Sequence, residues 1–584
     1  MRAVGALDTV LSCERFAEID AGTVDAAVDA AARFCTGVLA PLNQPGDREG
    51  ARCENAAVAT PQGFPAAFRA FSDAGLNGVA VSPAAGGMGL PKMVAACVEE
   101  LTSSANLAFS LCPVLNRGAA AALSRFGDPF QKEVILPRLV SGEWTGTMNL
   151  TEPQAGSDLG AIRTRAVPHG DHYAITGQKI FITYGEHDYT SNIVHLVLAR
   201  MADAPPGPRG ISLFMVPKFL IGPDGEIGAR NGVFCLSIER KLGIHASPTC
   251  VIGYGENAVA HGWLIGEANR GLEAMFVMMN EARFAVGVEG VAQCQAALSA
   301  ASAYASQRVQ GRPAGHRGAM PAIEAHPDVA RQLLRIRSFT EGGRALAMWI
   351  ASQLDLADTH ADPDVQAHSR AAAELAVPVF KAWATERSID AANIAIQIHG
   401  GAGFIEETGV AQILRDTRIT AIYEGTTAIQ ANDLWARKIQ RDGGAAMRAL
   451  LAGFQAVCSD LEQVSDSELR RLAAPLREAI ADVAVCTDWI LTTAGERPQD
   501  VAAGAVPFLE VCAAVCVGAL LCKAALYAHP LGDQEFAQDK TRIAAFFIRH
   551  ELPPARGRVG PIMSGADDVL RAIPAEARVA SAGR

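Results

Sequence analysis

Glu424 stands in the run Ala421-Ile422-Tyr423-Glu424-Gly425-Thr426-Thr427, where apolar and aromatic residues lead to one carboxylate and a glycine and two hydroxyls follow. A carboxylate set between a large aromatic and a flexible turn can be buried, and burial raises its pKa toward that of a base useful near neutral pH. A Glu before a Gly also suits a solvated helix end, so the residue has to be read with the rest of the chain. Met148-Asn149-Leu150-Thr151-Glu152-Pro153-Gln154-Ala155-Gly156-Ser157-Asp158 offers backbone donors and two hydroxyls to a polar ring edge, or forms a well-capped loop. In Gly177-Gln178-Lys179-Ile180-Phe181-Ile182-Thr183, strand alternation puts Phe181 and Thr183 on one face. A ring beside a hydroxyl suits a flat cofactor, and it equally suits ordinary strand packing.

The elements that must position these residues change period along the chain. Residues 1–145 read as helical, with helices over Val24–Phe34 and within Val94–Leu123 and a glycine-rich loop over Ala84–Pro91. Short runs rich in Ile, Val, Tyr, Phe and Thr follow at Tyr173–Thr176, Lys179–Thr183, Ile193–Ala199, Ile211–Val216, Cys235–Ile238 and Cys250–Gly253. Gly177-Gln178 and Ala204–Pro208 read as turns between them, so residues 146–268 form a β domain, barrel-like in character. From residue 269 to 443 long helices return, over Gly271–Ala305, Pro327–Leu356, Leu375–Ile398 and Thr427–Gln440, which suggests a four-helix bundle. Pro378 falls in the first turn of the third or kinks it. Residues 444–584 add a helical domain, with helices near 466–492, 500–528 and 537–550 and a loosely structured last dozen residues.

Composition excludes several classes. The net charge of −11, without a long basic run, argues against nucleic acid and anionic membrane surfaces as partners. None of the 13 cysteines forms a C-x-x-C pair, and Cys512, Cys516 and Cys522 read as small buried hydrophobes, so no metal site is expected and a reducing compartment is. The longest uncharged apolar run, Val511–Cys522, is too short to cross a bilayer, and the N-terminus shows no signal peptide. A cytoplasmic protein without a transmembrane segment is the expectation.

Taken together and in order, these runs, Gln397-Ile398-His399-Gly400-Gly401-Ala402-Gly403-Phe404 and Ile422-Tyr423-Glu424-Gly425-Thr426 resemble the acyl-CoA dehydrogenase family over roughly residues 30–440. Val140–Thr147, Gly185–Asp188 and the appended domain resemble one branch, the 3-methylmercaptopropionyl-CoA dehydrogenases and their broader-specificity relatives. The resemblance implies FAD, with Glu424 as catalytic base, Thr151 at the flavin ring edge, Phe181 packed beside the flavin and Thr183 near its N5. It implies Ser157 near the pantetheine arm and Arg283 close to the substrate. Arg308, Gln397, Gly400 and Gly401 would approach the FAD of a neighbouring subunit, and Thr426 a phosphate on the adenine side. Arginine supplies a permanent planar charge for phosphate, and glycines let the backbone come close to it.

The reaction so implied is α,β-dehydrogenation of an acyl-CoA thioester to a trans-2-enoyl-CoA, the acyl group being 3-methylthiopropionyl or a fatty acyl chain. Glu424 would take the α-proton, and its backbone N–H would help hold the thioester oxygen in an oxyanion-hole arrangement. Electron-transferring flavoprotein would accept the electrons, and the enzyme would be a homodimer or tetramer. An acyl-CoA oxidase, a specialised biosynthetic dehydrogenase and a non-catalytic flavin- or acyl-CoA-binding protein remain the alternatives. Two departures from the family pattern stand out. Val309-Gln310-Gly311 follows Arg308 where a Phe-Gly pair is usual, and His399 replaces a more common apolar residue. A packing or hydrogen-bonding role is expected for His399, and a structural charge pair for Arg415-Asp416.

Overall fold

The computed structural model describes residues 1–570, so the loosely structured terminus expected from sequence lies outside the described residues. These residues form two compact units. One comprises Glu18–Gln293 and Ile405–Ile419, the other Met1–Ala17, Cys294–Phe404 and the chain from Thr420 onward.

The first unit begins with helices. Asp20 caps the helix Ala21–Phe34 by accepting from Thr23 N. The apolar stretch Val94–Leu123 falls on two helices, Lys92–Ala105 and Leu107–Phe126. Asn106 breaks it by taking an extended φ of −161° and turning its side chain to accept from Phe109 N.

Among the described residues this unit holds twelve strands, in chain order β1 (Arg52–Glu54), β2 (Ala57–Ala59), β3 (Thr145–Asn149), β4 (Arg165–His169), β5 (His172–Thr183), β6 (Ile193–Met201), β7 (Ile211–Pro217), β8 (Phe219–Ile221), β9 (Ile227–Arg230), β10 (Val233–Ile238), β11 (Thr249–Tyr254) and β12 (Ala260–Ile265). β4 pairs with β5, β5 with β12, β12 with β7, β7 with β6, and β6 again with β4, so the sheet closes on itself as a small barrel. Ala166, Ile175, Val197, Phe214, Val216 and Ala260 form part of its core. β11 and β10 extend the sheet beyond β5, and β3 joins parallel to β6.

Gly177-Gln178 is not a turn. Both residues lie inside β5, paired with Tyr254 and Gly253. Gly177 is needed for a close approach: a Cβ there would come within 2.6 Å of Thr164 Oγ1. Gly146 of β3 likewise passes the helix Leu107–Phe126 so closely that a Cβ would lie 2.3 Å from that of Ala119. Asn116 from the same helix accepts from Gly146 N at 3.0 Å and donates to Leu139 O at 2.7 Å, which fixes the strand leading to Thr151.

In the second unit, the helices Pro327–Thr359 and Pro363–His399 pack against each other. The latter starts twelve residues before the expected Leu375, capped by Asp362, and carries Pro378 in its interior rather than its first turn. The appended helices Ala445–Gln463, Ala473–Thr493 and Gln534–Phe546 surround the apolar helix Pro498–Ala528. That helix crosses Pro327–Thr359 at Gly342, where a Cβ would sit 2.4 Å from Val517 Cγ1. Arg337 of Pro327–Thr359 also holds Asp539 of the helix Gln534–Phe546 at 2.8 Å. Cys512, Cys516 and Cys522 are buried free thiols, and burial pushes Cys516 up to about 12. The segments Leu107–Phe126 and Pro498–Leu531 are long and apolar enough to cross a membrane, yet 78% and 83% of their apolar windows are buried inside the protein, as in core helices.

Candidate active site

The expected site residues fall into two groups, one in each unit. In the barrel unit, Thr151 lies in the loop after β3, and its carbonyl accepts from Ile180 N at 2.9 Å. Lys179, fully buried on β5, grips both neighbours of Thr151: its Nζ donates to Leu150 O at 2.9 Å and to Glu152 Oε1 at 2.8 Å. Glu152 also accepts from Arg163 N, Thr164 N and Thr164 Oγ1 at 2.6, 3.0 and 2.6 Å. This buried pair brings Thr151 alongside β5, and thus near Phe181 and Thr183. The resemblance assigned it no role. Its only trace in the sequence is a lysine just before the apolar run Ile180–Ile182.

Phe181 departs from an ordinary strand. Cys250 faces Ile182 while Ile252 faces Lys179, so Ile180 and Phe181 together oppose Val251 in a β-bulge. Phe181 takes φ 59° there and is 58% exposed, while Ile182 is buried and Thr183 half-buried. A left-handed conformation in a bulky residue costs of order 1–3 kcal/mol, so this ring is held outward against its own preference. Phe181 and Thr183 remain on the less buried side, but through a bulge rather than regular alternation. Ser157 sits on an exposed turn after the Glu152–Ala155 bridge, and Arg283 is buried on the helix Gly271–Gln307.

Glu424 belongs to the helical unit and is half-buried. Its backbone is left-handed (φ 54°), and Gly425 follows at φ 94°. The carbonyls of this sharp turn are held from behind. Gln430 Nε2 donates to Glu424 O at 3.0 Å and to Gly425 O at 3.1 Å, and the buried Lys381 Nζ donates to Gly425 O at 2.8 Å. Thr426 is exposed at the start of the helix Thr427–Asp433, and among the described residues its hydroxyl makes no capping bond.

Two helix ends in the same unit bring Arg308 and the Gly400 turn together. The rings of Tyr304 and His399 stack with centroids 4.3 Å apart, and Arg308 N donates to Tyr304 O. His399 also bonds Ala395 O at 2.7 Å through Nδ1, so it packs and caps. Arg308, Gln397, Gly400 and Gly401 are exposed, and a Cβ built on either glycine meets no atom of the described residues within 4 Å. Arg415 belongs to the barrel unit, where its partner is Asp47 (3.3 Å) rather than the adjacent Asp416. Asp416 accepts from Ile244 N at 2.5 Å and Gln412 Nε2 at 3.0 Å, and burial raises its pKa to about 6.

Comparison with known proteins agrees with this layout. Residues 22–143, 147–254 and 269–439 match the N-terminal, middle and C-terminal domain models of acyl-CoA dehydrogenases, and 446–572 match an acetyl-CoA dehydrogenase C-terminal-like domain. The chain is 47% identical to the 3-methylmercaptopropionyl-CoA dehydrogenase of Ruegeria pomeroyi, covering 96% of each chain. It is 34% identical to a broad-specificity linear acyl-CoA dehydrogenase of Mycobacterium tuberculosis, over 94% of this chain and 93% of that one. Its fold resembles the crystal structure of an acyl-CoA dehydrogenase from Bacillus anthracis complexed with FAD (TM-score 0.76, 21% identity, 97% and 92% covered). The chain belongs to the acyl-CoA dehydrogenase family, FAD-dependent oxidoreductases that act on acyl-CoA thioesters.

Proposed function

We propose that Glu424 is the base that removes the α-proton of the acyl-CoA thioester. The observation that carries this is the turn itself: a carboxylate on a left-handed residue, with both turn carbonyls held by Lys381 and Gln430. A strained backbone braced by buried donors fixes where a side chain points, which is what proton abstraction from a weak carbon acid requires. Holding those carbonyls fixes the two peptide planes that follow the Glu424 Cα, and the Glu424 N–H on its other side would donate to the thioester oxygen as negative charge develops.

The residues present suit a flavin dinucleotide. In the barrel unit the outward Phe181 ring, Thr151 and Thr183 offer a flat face and two hydroxyls. In the helical unit, exposed Arg308, Gln397, Thr426 and the open backbone at Gly400 and Gly401 suit phosphate oxygens, and their exposure suits contact with a second copy in a homodimer. FAD, when bound, supplies the acceptor for the β-hydride. Ser157 and Arg283 are assigned to the substrate, and the four-part division at residues 145, 268 and 443 carries these roles. The relative named for 3-methylmercaptopropionyl-CoA supports that thioether as substrate, and the broad-specificity relative supports a fatty acyl-CoA. Electron-transferring flavoprotein as acceptor and a cytoplasmic setting complete the proposed reading.

Anaerobic addition of acyl-CoAs of increasing length, the thioether analogue included, tests the reading. The flavin should bleach, fastest with the true substrate, and Glu424→Gln should retain FAD while losing most turnover. An active Glu424→Gln enzyme removes Glu424 from the role. Hydrogen peroxide formed in air without an added acceptor would replace the flavoprotein acceptor by oxygen.

A further inference from the structure

The outer face of the barrel carries three histidines that the proposed reaction does not use. His169 and His172 flank the two-residue turn Gly170-Asp171 and pair directly across it. His261 of β12 pairs with Ala174 on the other side of β5, and period-two alternation puts His172 on the same face. Ile175, Ala166 and Ala260 point into the core, so the three imidazoles stand on the opposite face, with the Trp263 ring 5.6 Å from that of His172.

Their nitrogens converge. His172 Nε2 lies 3.2 Å from His169 Nδ1 and 2.6 Å from His261 Nδ1, and one ligand nitrogen from each ring lies within 4.8 Å of the others. Asp171 Oδ1 lies 2.8 Å from His172 Nδ1. A carboxylate accepts, so His172 carries its proton on Nδ1 and turns the lone pair of Nε2 toward the other two rings. The same carboxylate–histidine arrangement orients imidazole ligands of metal ions. A single shared proton can bridge one pair of these nitrogens, whereas a cation can satisfy all three.

We propose that His169, His172 and His261, with Asp171 orienting His172, form a binding site for a divalent transition-metal ion of the zinc type. Imidazole ligands suit zinc, copper and nickel. With zinc–nitrogen bonds of about 2.0–2.1 Å in a tetrahedral site, neighbouring nitrogens stand about 3.3 Å apart. The His169–His172 separation of 3.2 Å already meets that, and the 2.6 Å His172–His261 contact opens on ring rotation. Half-buried His172 and His261 shelter one side, and exposed His169 leaves a fourth position to water. The ion would pin the β4–β5 hairpin to β12.

The test uses the full-length FAD-loaded enzyme after chelator treatment, titrated with zinc chloride by calorimetry and with cobalt chloride by its visible absorption. One ion per chain should bind, and zinc should raise the melting temperature. His172→Gln and His261→Gln should each weaken binding at least tenfold and abolish that rise, and Asp171→Asn should weaken it about tenfold. Unchanged flavin absorption and unchanged melting without metal show that the variants are folded. Equal zinc uptake by the wild type and a folded His172→Gln/His261→Gln double variant would overturn the proposal, as would wild-type protein that takes up no stoichiometric ion.

Discussion

Lys179 holds Glu152 at 2.8 Å and the carbonyl of Leu150 at 2.9 Å with one ammonium, so a single buried charge fixes both sides of Thr151. Removing one member of a buried ion pair strands the other and costs about 3–5 kcal/mol. Lys179→Met should therefore lower stability by that amount, read from the denaturant midpoint, and loosen FAD. The double variant Glu152→Gln/Lys179→Met should recover most of the loss. A single variant within about 1 kcal/mol of wild type would show that the pair is not what holds the loop.

The same pair sets an acid limit. Burial alone would raise the pKa of Glu152, but the charge of Lys179 and the hydrogen bonds from Lys179, Thr164 and Arg163 outweigh it and bring the carboxyl down to about 2. A carboxyl lowered in the fold contributes stability above its unfolded value, and that contribution is lost as pH falls through the folded one. His187 and His195 add to the trend at higher pH. Burial, with a smaller push from the charge of Lys218, lowers both to about 3. Tyr189 N donates to His187 Nδ1, so the neutral ring donates from Nε2 to Thr145 Oγ1. Between pH 6.5 and 3 the unfolded chain binds protons that these rings refuse, so stability should fall as pH drops below about 6.5. His187→Gln should flatten that fall in melting temperature. An identical pH profile in the variant would remove His187 from the account.

How much of this was legible depends on whether the signal was local. The order of helices, sheet and helices follows from period changes at Gly271, Pro327 and the β-rich runs, but the closure of the barrel rests on β4 and β12, which carry no apolar run strong enough to be read as strands. Gly177 misled because a glycine that clears Thr164 looks the same in sequence as a glycine that turns. Pro378 left two places open, and its interior position removes the first-turn alternative because the helix starts at Pro363. Glu424 stood out because its flanking residues form a motif, and its left-handed turn was not visible there. Lys179, Lys381 and Gln430 were not legible, since each acts on backbone distant in sequence or looks like an ordinary helix or strand residue. The histidine trio was hidden for the same reason: His261 follows His172 by almost ninety residues and meets it only through the pairing of β12 with β5.

The Glu424 turn makes a sharper claim than the base substitution alone. A Cβ on Gly425 would lie 2.7 Å from Gln430 Nε2, and φ 94° is a conformation side chains rarely adopt. Gly425→Ala should displace Gln430 and re-aim Glu424, cutting kcat at least tenfold while flavin content stays near wild type. Gln430→Ala should reproduce part of the loss. Full turnover in both variants would show that the bracing of the carbonyls does not position the base.

Phe181 offers a case where stability and function should part. Its left-handed backbone costs of order 1–3 kcal/mol, which glycine would relieve, while glycine's greater freedom in the unfolded chain costs roughly 0.5–1 kcal/mol in the other direction. The ring is 58% exposed, so little packing is lost on removing it. Phe181→Gly should leave the flavin-free protein as stable as wild type or slightly more so, yet weaken FAD binding about tenfold, since an aromatic contact is worth about 0.5–1.5 kcal/mol beyond its buried area. Both quantities are accessible from thermal melts of the stripped protein and flavin fluorescence titration. A variant that binds FAD as well as wild type would mean that the bulge aims this ring at something other than the flavin. A variant that is destabilised without flavin would mean that the ring packs within the fold despite its exposure.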